Sequence, residues 1–291
     1  MTKKNKKYVE FPYLEELEDD EIEELKKVNK VYIDPGRRSL LYMMDDNGKI
    51  LNYSNRKHVE STKRLKYQRL LENYKKKECI DMIERIMNKY NSKSCDYKKF
   101  KEYIENKNFI NDVLMSSYSN EIFRKYKWYS FMNKKRTEDK LVNEIKKTYG
   151  QSTIVMGDWS IGKSLRGMMS TPNLGLKRKL GKHFTIYSID EFRTSKLHCI
   201  TEKETDNLVL PDKKGKLREI HSILTCQMEN NRLVCINRDK NSVRNMKKIT
   251  KEFLEKGTRP EKYRRNYKEV PKQQKTSTPK TKKLVKVSSV G

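Results

Sequence analysis

The sequence predicts an α/β fold: a mixed β-sheet with a long helical hairpin inserted between its strands. Three observations predict it. Residues 30–55 read as a three-stranded meander, with apolar runs separated by Pro-Gly and Asn-Gly turns. Residues 58–148 carry apolar side chains at helical spacing among many lysines. Two more short apolar runs, 153–157 and 184–190, flank a helix-like stretch at 173–182.

Residues 1–27 form a short polar segment, and its acidic stretch LEELEDDEIEELKK reads as a solvated helix. Val31, Tyr32 and Ile33 follow as a buried strand that ends on Asp34, because Pro35-Gly36 breaks it. LLYMMDD is the second strand, Asp45-Asp46-Asn47-Gly48 the turn, and KILNYS the return; Asn-Gly between apolar runs is a strong hairpin signal. Asp34 is then a carboxylate held by a sheet and not by a loop, which suits a metal ligand. The plainer reading is a turn former before Pro-Gly.

In the helical region, Val59, Leu65, Leu70 and Leu71 share a side, and Ile80, Met82, Ile83, Ile86 and Met87 recur at intervals of three and four. NSKSC at 91–95 is the natural turn, and a second helical run covers roughly 97–148. Two long basic helices back to back predict a hairpin. Tyr126, Trp128, Tyr129 and Phe131 are expected in its core, while Arg124, Lys125, Lys127, Lys134, Lys135 and Arg136 suit a nucleic-acid backbone.

The 291-residue chain has room for one or two domains. Its 67 basic side chains against 39 acidic ones, net +28, point to a polyanionic partner: nucleic acid first, an anionic membrane surface second. No run of eighteen apolar residues exists to span a membrane, and MTKKNKKYVEF lacks the apolar core of a signal peptide. Five scattered cysteines in such a chain are expected as free thiols or metal ligands, not disulfides.

STIVMGDWSIGKS at 152–164 has two readings. Gly157 to Ser164 fits G-x-x-x-x-G-K-S, the phosphate-binding loop of an NTPase, with the acidic pair that ends FTIYSIDE (184–191) as its magnesium partner. Against it, Asp158 puts negative charge and Trp159 puts bulk inside the cradle, and Gly167 and Ser-Thr-Pro at 170–172 interrupt the helix that should follow Lys163. In the other reading, strands 153–157 and 184–190 extend the sheet of the meander, and each delivers an acid at its end, Asp158 and Glu191. Three antiparallel strands, then helix, strand, helix, strand is the order of a ribonuclease-H-like (RuvC-like) mixed sheet. Such a sheet cuts phosphodiesters with carboxylates from separate elements around two divalent ions, Mg2+ or Mn2+. The last acid is expected on a late helix. Within 236–256, Asn237 is a cap, Asp239 lies in the first turn, and Val243, Met246, Ile249, Phe253 and Leu254 make an apolar stripe. Dipole complementation is the plainer reading of Asp239.

At these residues the chain resembles a family. DPG at 34–36, TSK at 194–196 and INRDKNSVRNM at 236–246 are similar to the RuvC-like nuclease of the transposon-encoded TnpB proteins. GDWS at 157–160 and IDEFRTS look more like their eukaryotic and giant-virus relatives, Fanzor. The likeness covers roughly residues 28–256 and implies an RNA-guided DNA endonuclease with DNA and a guide RNA as partners, in which base pairing reads sequence. Asp34 matches the first acid and Asp239 the third. TnpB proteins usually carry the second, a glutamate, at the end of the strand that here reads IVMGDW. Gly157 and Asp158 stand there, and Glu191 matches the substitute glutamate of Fanzor-like proteins. Asp34, Glu191 and Asp239 are thus the expected catalytic metal ligands, with Asp158 in reserve.

Two departures follow. The family carries a zinc ribbon of two C-x-x-C pairs between the TS element and the third acid. Residues 193–235 contain no C-x-x-C; His198, Cys199, Cys226 and Cys235, with His221 nearby, remain as a degenerate ribbon, and a metal-free insert is expected over Zn2+. The family also precedes its nuclease with a large guide- and DNA-binding region. About 30 residues precede Asp34 here, so a fragment, a separate chain supplying that region, or a decaying element is expected. The stretch 257–291 reads as a disordered basic tail, and its PKTKKLVK fits a nuclear import pattern. An intracellular site, the nucleus or a viral replication site, suits the chain. Arg37, Arg38, Lys125, Lys127, Lys177, Arg178, Lys179 and Arg238 are the expected nucleic-acid contacts, with the hairpin and GLKRKLGK holding a duplex. The alternatives are a non-catalytic nucleic-acid-binding remnant and, third, the NTPase.

Overall fold

An unbroken run of β-formers such as Val31-Tyr32-Ile33 belongs in the middle of a sheet, and all three side chains are buried there. The computed structural model describes residues 11–158, 171–228 and 232–266. After helix α1 (Asp19–Lys27) come strands β1 (Lys30–Asp34), β2 (Ser39–Asp45) and β3 (Ile50–Ser54); β4 (Thr153–Gly157) and β5 (Ile186–Ile189) follow much later. They form one five-stranded sheet in the order β3-β2-β1-β4-β5. β2 runs antiparallel to both of its neighbours, Ile33 opposite Met43 and Asp34 opposite Tyr42, while β1, β4 and β5 are parallel, Ile33 beside Met156 and Gly157 beside Ile189. The β2–β3 turn lies at Asp45–Gly48, where Gly48 takes φ +85° and Asp45 Oδ1 accepts from the Lys49 amide at 2.7 Å.

Helix α8 (Arg238–Lys256) covers one face of this sheet. Asn237 caps it, accepting from the Lys240 amide at 2.9 Å, and Gly257 ends it at φ +69°. Its Val243, Met246, Ile249 and Phe253 pack with Tyr32, Tyr42, Met44, Val155 and Ile189. Helix α7 (Asn173–Gly181) lies between β4 and β5 in sequence. Residues between β5 and α8 form a second, three-stranded antiparallel sheet of β6 (Asp206–Pro211), β7 (Leu217–Gln227) and β8 (Leu233–Asn237).

Residues 55–143 are a separate compact unit. Instead of two long helices it is built on α2 (Asn55–Thr62), α3 (Arg64–Lys77), α4 (Ile80–Ile86), α5 (Tyr97–Tyr118) and α6 (Glu121–Tyr149), the last running on beyond the unit from Glu144. Backbone sets these breaks: Lys63 and Cys79 take left-handed φ of +54° and +52°, which apolar periodicity does not reveal. The expected turn at 91–95 is present, followed by Asp96 capping α5 at the Lys98 amide, 2.9 Å away. The expected aromatic core is corrected. Tyr67, Tyr126 and Tyr129 cluster, but Tyr129 is still 40% exposed, and Trp128 and Phe131, on another face of α6, are 59% and 55% exposed. Among the described residues no helix is long and apolar enough to cross a membrane.

The expectation of disorder from residue 257 onward is also corrected for 257–266. Tyr263 is fully buried in the α8 core and donates to Asn245 Oδ1 at 2.8 Å, and the Asn245 amide donates to the carbonyls of Thr194 and Leu197, both at 2.7 Å. One buried ring outweighs a polar composition. Asn245→Ala is expected to lower stability by about 2–4 kcal/mol, since it leaves buried carbonyls and a hydroxyl unpaired, whereas Tyr263→Phe should cost only about 1 kcal/mol. Urea denaturation of the variants measures the difference.

Candidate active site

Alternation along a strand places Tyr32 and Asp34 on one face of β1, and Val155 and position 157 on the same face of β4. That is the face α8 covers. The first turn of α8 brings Asp239 and Ser242 down to the end of β1. Ser242 donates to the Asp34 carboxylate, and Asp239 repels it. The Asp34 carboxyl is pushed up to about 7, first by loss of solvent and then by Asp239, against the pull of Ser242 and Arg238. Tyr42, opposite Asp34, also feels Asp239, and its phenol is raised by burial and by that charge.

Glu191 enters from the far side of β4. A Cβ built on Gly157 would fall on the Glu191 carboxylate, so that carboxylate lies where a residue-157 side chain would begin. One further step of the β1–β4 register sets Gly157 beside Asp34. The glycine is what leaves the space.

Arg238 flanks the acids. Its Nη1 donates to His221 Nε2 at 2.8 Å and its Nη2 to Ser195 Oγ at 3.2 Å. The His221 imidazole is held below its ordinary range, first by desolvation and then by Arg238 and Arg38, against the pull of Asp239 and Glu219. The TS turn is clamped to α8: Asn241 donates to the carbonyls of Thr194 and Leu197 at 3.2 and 2.7 Å, and accepts from the Cys199 amide at 2.9 Å. Asn241 and Asn245, one turn apart, therefore tie the TS turn to α8.

Asp158 stands elsewhere. Its Oδ2 accepts from Tyr13 at 3.3 Å, and it lines a cleft with Asp190, Arg259 and Arg265, the last pairing with Asp190 at 2.7 Å. Asp34, Asp239 and the Glu191 carboxylate share one face; Asp158 does not join them. Among the described residues, no three His, Cys, Asp or Glu side chains form a group placed to hold an ion.

The four residues of the degenerate ribbon are not gathered. Thr201 bonds His198 Nδ1 at 3.0 Å and reaches Cys226 Sγ at 3.7 Å, filling the place between them, and Cys235 is exposed on β8. Of the expected nucleic-acid contacts, Arg38, Lys125, Lys127 and Arg178 are exposed, Arg37, Lys179 and Arg238 half-buried. Lys177 is a correction: it is only 2% exposed and donates to Ser188 Oγ at 2.9 Å over the Phe11 ring. α7 turns Asn173, Leu176, Lys177 and Leu180 inward at helical spacing, so the basic run GLKRKLGK is not one solvent face. Gly162, Lys163 and Ser164 of the phosphate-loop match lie outside the described residues, as do residues 267–291, the import-like run included.

Sequence reasoning missed Ser242, Tyr42 and the placement of His221. Only Ser242 had a signal, three residues after Asp239 on the helix. No protein-family model matches the chain, and no curated protein matches it.

Proposed function

We propose that this protein is a RuvC-like, metal-dependent DNA endonuclease of the TnpB/Fanzor type, RNA-guided and transposon-associated. The observation that carries the reading is the pairing of Asp34 with Asp239: two carboxylates far apart in sequence are brought together, and one is desolvated enough to be pushed up to about 7. Like charge of this kind, offset only in part by Ser242 and Arg238, is costly to a fold and clusters at functional sites. The strand order, with β2 alone reversed, supports a ribonuclease-H-like sheet.

Asp34, Asp239 and Glu191 are hard oxygen donors and would hold Mg2+ or Mn2+. Such an ion, when bound, supplies water activation and stabilisation of the leaving oxygen. Ser242 orients Asp34, and Arg238, steadied by His221 and Ser195, faces the charge of the phosphodiester. Guide RNA and any separate chain bearing a guide-binding region come from the resemblance alone.

The test compares variants in a magnesium-dependent DNA cleavage assay. Asp34→Ala should abolish cutting and Lys163→Ala leave it largely intact; tight ATP binding abolished in Lys163→Ala would replace this reading by the NTPase. The second reading is a non-catalytic nucleic-acid-binding remnant, to which the cationic balance of net +28 applies equally. It predicts no cutting by wild type at any metal concentration, with or without guide.

Metal affinity should depend on pH. The ion takes the carboxylate form, so below the Asp34 pKa of about 7 each ion displaces a proton. Mn2+ affinity, read by calorimetry, should rise by about tenfold per pH unit up to about pH 7 and flatten above it. A flat profile would remove Asp34 from the ligand set.

A further inference from the structure

α8 carries a feature the acids do not use. Lys240, Arg244, Lys247 and Lys251 recur at intervals of four, three and four, which places them in one row beside the face that brings Asp239 to the sheet. The row is a wall. Lys240, Arg244 and Lys247 line a 300 Å³ concavity against Asp46, Gly48 and Ile50 of the β2–β3 hairpin. Lys247 and Lys251 continue into a 440 Å³ concavity with Lys26 and Lys30. Asp46 and Lys247 belong to both, so the two make one furrow.

Its own acids are already engaged. Asp46 accepts from Tyr32 at 2.8 Å and pairs with Lys30 at 3.3 Å, and Glu255 pairs with Lys251 at 3.8 Å. Lys247 donates to the Asp46 carbonyl. Among the described residues no ion pair engages Lys240 or Arg244. The furrow thus has cations in excess, and it begins next to Asp239.

We propose that this furrow holds the sugar–phosphate backbone of one nucleic-acid strand and leads it to the first turn of α8. At about 1.5 Å rise per residue the row spans roughly 16 Å, several phosphates at the roughly 3.4 Å per-strand spacing of DNA. A bilayer is planar and cannot enter a furrow between a helix and a hairpin; a flexible polyanionic strand can. The path to the carboxylates rests on the nuclease reading, while the binding itself does not.

The test is fluorescence anisotropy of a labelled single-stranded oligodeoxynucleotide, in EDTA so that nothing is cut, over a range of salt. Lys240→Gln with Arg244→Gln is compared with Lys213→Gln with Lys214→Gln, an equal charge loss in the β6–β7 turn. The furrow pair should reduce the slope of log affinity against log salt by about 1.4, about 0.7 for each phosphate no longer neutralised, and the control pair should leave it unchanged. Lys251→Gln alone, exposed at the far end of the row, should reduce it by about 0.7 and decides the question equally well should the double variant fold poorly. Equal slopes for furrow and control pairs would overturn the proposal. So would a furrow pair that no longer binds anionic phosphatidylserine vesicles and still binds the oligonucleotide. A reduced slope in a protein that never cuts would leave the furrow standing and sink the nuclease reading.

Discussion

Asp34→Asn is expected to abolish metal-dependent DNA cleavage and, at the same pH, to raise the melting temperature of the metal-free protein. The two effects have one cause. In the fold, Asp34 is desolvated beside Asp239, and its pKa stands at about 7 against 3.8 for the free side chain. The folded chain therefore binds this proton more tightly than the unfolded chain. Stability from the protonated form is complete below about pH 4 and is lost as pH rises through about 7. At about pH 8 the wild type carries the full penalty of an ionised, crowded carboxylate, which asparagine removes. The gain should be on the order of 1–3 kcal/mol, discounted for the partial exposure of Asp34. At roughly 2–4 °C per kcal/mol it is visible in a thermal melt. Mn2+ should stabilise the wild type and leave the variant where it is. Equal melting temperatures at about pH 8 in EDTA would show that Asp34 is not under strain, and the main support for the active-site reading would fall.

The second large effect concerns Gly157 and Glu191. Because the Glu191 carboxylate lies where a side chain at 157 would start, Gly157→Ala must push it aside. Both Gly157→Ala and Glu191→Gln are expected to reduce cutting by about a hundredfold or more. Moving the carboxylate back to the strand, with Gly157→Glu and Glu191→Gly together, should return activity to within about tenfold of wild type although each change alone is damaging. Such non-additivity is the signature of two positions serving one spot. A double variant no better than the worse single one would mean that Glu191 does not supply the second acid. The same pair tested with Asp158→Asn, in its separate cleft with Tyr13, should show Asp158→Asn as the mild change.

The sequence reached far into this fold where local chemistry and periodicity decide structure. The meander was legible because Asn47-Gly48 needs a positive φ and Pro35-Gly36 ends a strand. The late helix was legible from Asn237 as its cap and the stripe from Val243 to Phe253. Asp34 stands out in the sequence by its place at a strand end and Asp239 by its place in a helix's first turn. The apolar pattern of residues 55–143 shows two helical runs where the fold has five helices, since left-handed residues such as Lys63 and Cys79 leave no mark on it.

By itself the sequence determined the α/β class, the strands of the main sheet, the cationic balance and the identity of the acids worth testing. Each of these follows from side-chain type and short-range spacing. Only the tertiary structure decided which acids share a face, because that depends on the register of β1 with β4 and on the space at Gly157 that the Glu191 carboxylate fills. It buried Lys177 and Tyr263, exposed Trp128, and set the Lys240–Lys251 row against the β2–β3 hairpin. Burial and charge proximity belong to contacts between distant segments, and no local pattern encodes which segments meet.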